Sequence, residues 1–259
     1  MPRANRYWLP GHVWHLTHRC HRRQFLLRFG RDRRLWTRWL YEARVRHDLC
    51  VLDYIVTGNH VHLVVRDRGR GEVAGSMQLL EGCTGQAYNR RKQRLGAFWQ
   101  DRYHATAVET GEHLARCVVY VDLNMVRAGV VAHPREWTAG GYHEIQGQRQ
   151  RHRIVDRVAL AQALEVDLEK LAEVHQGWVD EALRRPLTRQ AQWSENVAVG
   201  GRSFAERVLR DLGGRARDRR VEAVDDTYVM RERPPAYARV SPPKMRAKLG
   251  WRPPPVGEM

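Results

Sequence analysis

Hydrophobic and polar positions divide the first half of the chain into seven elements. Strand patterns, with alternating or short apolar runs, cover residues 12–19, 49–57, 60–66 and 102–109. Apolar residues at helical spacing cover residues 31–47, 72–95 and 111–128. The order β-α-β-β-α-β-α predicts an α+β fold, a ferredoxin-like two-layer sandwich with a central antiparallel sheet and helices packed on it.

The pattern changes after residue 150. Residues 156–185 predict two short amphipathic helices, and residues 201–213 predict a third. Most of the prolines follow residue 232, which is typical of an extended or flexible segment. We therefore expect a first domain over residues 1–150, a small helical region over 151–231 and a flexible, basic, Pro-rich tail over 232–259.

The net charge indicates a polyanionic partner. The 259 residues carry a formal charge of +16, and residues 1–50 hold 12 basic residues against 3 acidic ones. Nucleic acid is the commonest polyanion that such a chain binds. Arginine supplies almost all of the positive charge, and its planar guanidinium suits phosphate, although a preference for Arg over Lys can also reflect genome base composition.

Other features exclude several classes of protein. The four cysteines show no CxxC pairing, so neither a disulfide scaffold nor a zinc ribbon is indicated. No apolar run approaches the roughly 18–20 residues of a membrane helix, and no secretory signal precedes the first strand. We expect a cytoplasmic protein without a membrane partner.

A pair of histidines marks the third predicted strand. His60 and His62 are two residues apart, so both side chains point to one face of the sheet. Two neighbouring neutral imidazoles can hold one divalent metal ion. The alternative is that they are polar residues on an exposed face of the sheet.

The helix predicted at 111–128 carries a second group. Tyr120 and Asn124 lie one turn apart, on a stripe that also holds Arg116 and Arg127. The stripe could be solvated surface, but Asn is a weak helix former and could supply an amide oxygen to a metal. Two His and one amide would leave positions open on Mg²⁺ or Mn²⁺ for a phosphate oxygen. A nearby tyrosine hydroxyl could then attack the phosphate and form a phosphotyrosine.

Four stretches of the chain resemble the REP-associated tyrosine transposases, a branch of the single-tyrosine HUH transposases. They are GHVWHLTHRCHRRQFLL (11–27), NHVHLVV (59–65), FWQDRYHATAVE (98–109) and YVDLNMVRAGVV (120–131). The last is similar to the block in which the tyrosine precedes Asn-Pro-Val-Arg-Ala-Gly, and Met125 replaces the usual proline. Beyond residue 150 the resemblance is confined to a Gly-x-x-Phe helix at 201–213.

The resemblance implies that residues 1–150 are a catalytic domain of this type. Tyr120 would be the nucleophile, His60 and His62 metal ligands, and Asn124 the source of a third ligand. The implied activity is a metal-dependent DNA endonuclease and strand transferase. It would cut single-stranded DNA at palindromic repeat hairpins and leave a 5′-phosphotyrosine, with Mg²⁺ or Mn²⁺, no small-molecule cofactor, and a monomer or homodimer as the active form.

Two other functions remain open at this point. A catalytically idle, repeat-binding protein would keep the basic surface and would not depend on Tyr120. An RNA-binding module on a ferredoxin-like sheet would stack bases on sheet aromatics, but here the third strand offers histidines at those places.

Basic residues before position 130 are the predicted DNA contacts, although each one could also be ordinary solvated surface. They are Arg3, Arg6, Arg22, Arg23, Arg90, Arg91, Lys92, Arg94, Arg102, Arg116 and Arg127. A DNA-contacting role is also a hypothesis for residues 151–231.

Overall fold

The computed structural model of the chain describes residues 9–148, 152–216 and 219–232. Arg3 and Arg6, which are predicted DNA contacts, lie outside the described residues. So does the predicted tail beyond residue 232.

Four antiparallel strands form one side of the sheet, in the arrangement that the sequence predicts. They are β1 (Val13–Arg19), β2 (Cys50–Val56), β3 (His60–Arg66) and β4 (His104–Val108). Their spatial order is β2-β3-β1-β4. This order, with a helix after β1 and another after β3, is the ferredoxin-like arrangement.

Two long helices cover one face of this sheet. They are α1 (Gly30–His47) and α2 (Glu72–Lys92), which pack against each other. That face contains Leu16 and Leu63, which are paired across β1 and β3 and are both buried. Trp36 of α1 is also buried and lies with its ring centroid 6.4 Å from that of Tyr54 on β2. Burial of these large side chains is the main stabilising term of the domain.

The opposite face of the sheet is covered by a third helix, interrupted at one residue. The sequence predicts a continuous helix over 111–128, but α3 (Glu112–Asp122) and α4 (Asn124–Arg127) are separated by Leu123, whose ψ is 5°. The interruption directly precedes Asn124, and Asn disfavours helix interiors because its side chain competes for backbone hydrogen bonds.

The helices predicted at 156–185 pack on the outer side of α3. They are α6 (Arg157–Leu164) and α7 (Leu171–Leu183), preceded by the short α5 (Tyr142–Ile145). A buried hydrogen bond ties α7 to α3, because His175 Nε2 lies 2.8 Å from Asp122 Oδ2. Both faces of α3 are therefore covered, one by the sheet and the other by these helices.

The last part of the described chain extends the sheet itself. After α8 (Gln192–Glu195), strand β5 (Ala198–Gly200) pairs in parallel with β4. The predicted helix at 201–213 is confirmed as α9 (Arg202–Leu212), and β6 (Arg219–Val224) and β7 (Thr227–Glu232) complete a seven-stranded sheet. The sequence predicts only helices in this region, so all three strands correct that expectation; β5, with three residues, is too short to show a strand alternation.

Among the described residues, no helix combines the length and apolar character needed to cross a bilayer.

Because the sheet is continuous, we expect residues 9–232 to unfold in one step. Trp193 on α8 is 1% exposed and packs into the same core as β1 and β4. Trp193→Ala should therefore cost about 3–5 kcal/mol, measured by urea unfolding with circular dichroism. Arg189→Ala, an exposed neighbour, is the control. Two separable transitions, with only one of them shifted by Trp193→Ala, would contradict this expectation.

Candidate active site on the histidine face of the sheet

The register of β1 and β3 places three histidines on one face of the sheet. His60 and His62 share a face of β3, where they pair with Arg19 and Thr17 of β1. Two residues before Thr17, His15 lies on the same face, and its ring is nearly parallel to that of His62, with centroids 5.0 Å apart and planes 10° apart. His15 is fully buried and His62 is 3% exposed.

Hydrogen bonds determine which ring nitrogen of His62 carries the lone pair. His15 Nδ1 lies 2.7 Å from the Trp193 carbonyl oxygen, which can only accept, so this nitrogen must carry the proton. The Nε2 of His15 is then an acceptor. The Nδ1 of His62 lies 2.8 Å from it and must donate to it. The lone pair of His62 is therefore on Nε2, which faces the Asn124 side-chain amide at 3.0 Å.

The other histidine of the pair is oriented by a tight turn. His60 Nδ1 lies 2.7 Å from Asn59 Oδ1 and 2.9 Å from Thr57 Oγ1. Donation of the Nδ1 proton to the Asn59 oxygen leaves the lone pair on Nε2. The side chain of Asn124 also interacts with His60, so Asn124 lies between the two histidines.

Burial keeps these imidazoles neutral at physiological pH. Burial lowers the pKa of His15 to about 4 and that of His60 to about 4. The pKa of His62 also falls well below its usual value, through burial and then through the nearby His15 and His60. Neutral imidazole is the form that binds metal ions.

Tyr120 completes the cluster from the end of α3. Its side chain is 7% exposed, and its ring centroid lies 5.9 Å from that of His62 and 6.3 Å from that of His15. Because Asn124 follows one turn later, the helix brings a phenol and an amide to the same pair of histidines. The structure thus places Tyr120, His60, His62 and Asn124 together.

Arg127 lies against the tyrosine ring. The carbon atom of its guanidinium is 3.9 Å from the ring centroid, which is within the range of a cation–π contact. Burial raises the pKa of Tyr120, and the positive charge of Arg127 opposes that rise. Arg127 therefore favours the phenolate form of Tyr120.

The side chains around Asn124 are suited to holding a divalent metal ion. Two neutral imidazoles and one amide can supply two nitrogen ligands and one oxygen ligand, because the amide group can turn its oxygen toward the histidines. Within the described ranges, no group of three His, Cys, Asp or Glu side chains is placed to hold a metal ion. The candidate set therefore depends on the Asn124 amide.

Some of the predicted DNA-contacting residues already have partners in the protein. Arg91 forms an ion pair with Asp32, and Arg116 lies 2.5 Å from both Glu112 and Asp226. Arg94 hydrogen bonds to the backbone carbonyls of Gly96 and Ala97. Apart from Arg127, the other predicted DNA contacts within the described residues are exposed to solvent. They are Arg22, Arg23, Arg90, Lys92 and Arg102.

Two contributors to the site were not singled out in the sequence. His15 lies in a predicted strand. The alternation of polar residues His15, Thr17 and Arg19 is the only local signal that places it on the same face as a site. The other is the backbone carbonyl of Trp193, 178 residues further along the chain. No sequence signal identifies a carbonyl that accepts from a distant side chain.

Comparison with known proteins shows a similarity in sequence over the part of the chain that contains the site. Residues 10–124 match the family described as "Transposase IS200 like". A search of the curated proteins gave no match.

Two solved structures of transposases match part of this chain at low identity. One is a REP-associated tyrosine transposase bound to a REP hairpin, with 18% identity, a TM-score of 0.48, and coverage of 60% of this chain and 94% of that one. The other is a putative transposase from Deinococcus radiodurans R1, with 15% identity, a TM-score of 0.34, and coverage of 45% and 92%.

The similarity in sequence extends over residues 10–124, which include β1 to β4, both histidines of β3, Tyr120 and Asn124. This segment of the chain is similar to the IS200-like transposase family.

Proposed function

We propose that the chain is a metal-dependent single-stranded DNA endonuclease and strand transferase that forms a 5′-phosphotyrosine through Tyr120. The observation that carries the proposal is the meeting of Tyr120, His60, His62 and Asn124 on one face of the sheet. The Tyr120 and His62 ring centroids are 5.9 Å apart, although the residues are far apart in sequence.

His60, His62 and Asn124 would hold the metal ion, which the family's phosphoryl chemistry requires. Bound there, Mg²⁺ or Mn²⁺ would polarise a phosphate oxygen and stabilise the charge that develops in the transition state. The protein itself presents the unprotonated Nε2 atoms of His60 and His62. The hydrogen bond from His62 to His15 keeps the Nε2 of His62 unprotonated.

Tyr120 would act as the nucleophile. Its hydroxyl oxygen forms the new bond to phosphorus as the bond to the 3′-oxygen breaks. Tyr120 loses its proton and the departing 3′-oxygen gains one, so that a 3′-hydroxyl and a 5′-phosphotyrosine remain. Arg127 promotes the step because its charge stabilises the developing phenolate. The covalent link conserves the phosphodiester bond energy for rejoining.

Palindromic repeat hairpins are the proposed DNA substrate. The support is the block YVDLNMVRAGVV (120–131), which resembles the REP-associated branch of the superfamily. The exposed basic residues near the start of β3 and the end of α2 add a surface that attracts phosphates.

Tyr120→Phe should retain hairpin binding and lose cleavage. The change removes the attacking oxygen and keeps the ring that packs against His62. Cleavage is measured on labelled single-stranded hairpins from repeats that flank the gene, with Mn²⁺, Mg²⁺ or a chelator. Tyr103→Phe is a matched control, because Tyr103 is also buried. Retained cleavage by Tyr120→Phe would exclude the mechanism, and tight binding by the wild type without any covalent adduct would instead indicate an idle repeat-binding protein.

Removal of a metal ligand should strongly weaken Mn²⁺ binding. His62→Ala deletes one imidazole and is expected to weaken Mn²⁺ binding by more than the roughly 10–100-fold cost of losing an outer-shell partner. Titration calorimetry of the apo protein measures this directly. His47→Ala, on α1, serves as the control. Equal Mn²⁺ affinity in wild type and His62→Ala would contradict the assignment.

His15 should affect metal binding without binding metal itself. His15→Ala removes the acceptor for His62 Nδ1, so we expect Mn²⁺ affinity to fall by roughly 10–100-fold. His15→Gln offers an amide oxygen in a similar place and should restore part of the loss. If His15→Ala changed only thermal stability and left the Mn²⁺ dissociation constant as in wild type, the positioning role would be wrong.

A further inference from the structure

The loop between β1 and α1 exposes two phenylalanines beside several arginines. Phe25 is 67% exposed and Phe29 is 58% exposed, whereas the other two phenylalanines of the chain, Phe98 and Phe204, are buried. Arg22, Arg23 and Arg28 are exposed in the same loop. We call residues 22–29 the aromatic-basic loop.

The loop is held firmly despite its exposure. Leu26 and Leu27 point into the core, with 8% and 0% exposure. The Leu27 amide donates to the Gly58 carbonyl at 2.9 Å, and Arg33 Nη1 donates to the Leu27 carbonyl at 3.2 Å. The two phenylalanines are therefore presented from a fixed backbone, which lowers the entropy that a ligand must remove on binding.

Two residues of the loop adopt an unfavourable backbone conformation. Arg22 and Arg23 have φ of 52° and 57°, in the left-handed region that non-glycine residues seldom occupy. Such strain is concentrated at functional sites in proteins. Here it lies in the two arginines that precede Phe25.

The charge around the phenylalanines has one sign. The aromatic-basic loop contains three arginines and no acidic residue. Phe29 has Lys92 Nζ of α2 and the Arg28 guanidinium carbon each 5.8 Å from its ring centroid. The nearest acid in sequence, Asp32, is buried and paired with Arg91. This surface favours a polyanion and disfavours a second copy of itself.

The aromatic-basic loop lies next to the turn that leads into β3. Phe25 packs on Gly58, where an added Cβ would come within 2.9 Å of Phe25 Cδ1. Asn59 Nδ2 donates to the Arg23 carbonyl at 3.2 Å, and Asn59 Oδ1 accepts from His60 Nδ1 at 2.7 Å. A strand of nucleic acid bound on the loop would thus continue toward the candidate active site.

We infer that Phe25 and Phe29 form a base-stacking site for single-stranded DNA, with the loop arginines holding the adjacent phosphates. Exposed aromatic rings among cations are how proteins bind unpaired bases, since every base offers a π-face. A duplex hides those faces, so the occupant is single-stranded. The inference rests on the proposed function only in that the ligand is single-stranded DNA.

The test compares two oligomers of equal charge. In the Tyr120→Phe background, fluorescence anisotropy measures binding of fluorescein-labelled dT₁₂ and of a 12-unit abasic strand that has the same phosphates and no bases. Parent protein should bind dT₁₂ roughly tenfold or more tightly than the abasic strand. Phe25→Ala/Phe29→Ala should lower dT₁₂ affinity to the abasic level and leave abasic binding unchanged.

Two further variants serve as controls. Phe25→Trp/Phe29→Trp should retain the preference for dT₁₂, because indole also stacks. Val45→Ala removes an apolar side chain of similar exposure, 61%, about 24 Å along α1 from Phe29, and should have no effect.

Three results would overturn the inference. They are equal binding of both oligomers by the parent protein, equal loss of both in the double Ala variant, and the absence of binding to either oligomer. The proposed function fails separately, through the absence of a Tyr120–DNA adduct in the wild-type chain. Base-dependent binding without an adduct would therefore support the stacking site and contradict the endonuclease.

Discussion

The candidate site depends on one hydrogen-bonded series that runs from Trp193 through His15 to His62. The Trp193 carbonyl can only accept, so it fixes the proton on His15 Nδ1, and His15 in turn fixes the proton on His62 Nδ1. The lone pair of His62 is then directed at Asn124. A single backbone oxygen thereby decides that this histidine can act as a ligand, and burial keeps both rings neutral.

This series also explains how the later part of the chain belongs to the site. Trp193 comes from α8, just before β5 extends the sheet beside β4. Thr106 Oγ1 on β4 lies 2.7 Å from the Asn196 carbonyl oxygen, to which it donates, and 3.2 Å from that of Trp193, which holds the segment in place. The residues beyond 150 therefore complete the histidine face as well as the fold, and their loss would leave His15 without its acceptor.

The sequence predicts the residues of the site better than their surroundings. The period of two in β3 places His60 and His62 on one face, and the spacing of four brings Tyr120 and Asn124 together. Both deductions use only local geometry. The role of His15 needs the β1–β3 register, which local patterns do not contain. The interruption at Leu123 and the three-residue strand β5 were not predicted, because both are set by tertiary packing and are too short to show a period.

Peptide mapping can show directly whether Tyr120 is the nucleophile. The wild-type protein is incubated with a single-stranded hairpin and Mn²⁺, digested with nuclease and trypsin, and analysed by mass spectrometry. Cleavage after Arg116 and Arg127 yields the peptide CVVYVDLNMVR, in which Tyr120 is the sole tyrosine. We expect a nucleotide phosphate on this peptide, attached to Tyr120. A nucleotide on any other tyrosine, or DNA cleavage with this peptide unmodified, would contradict it.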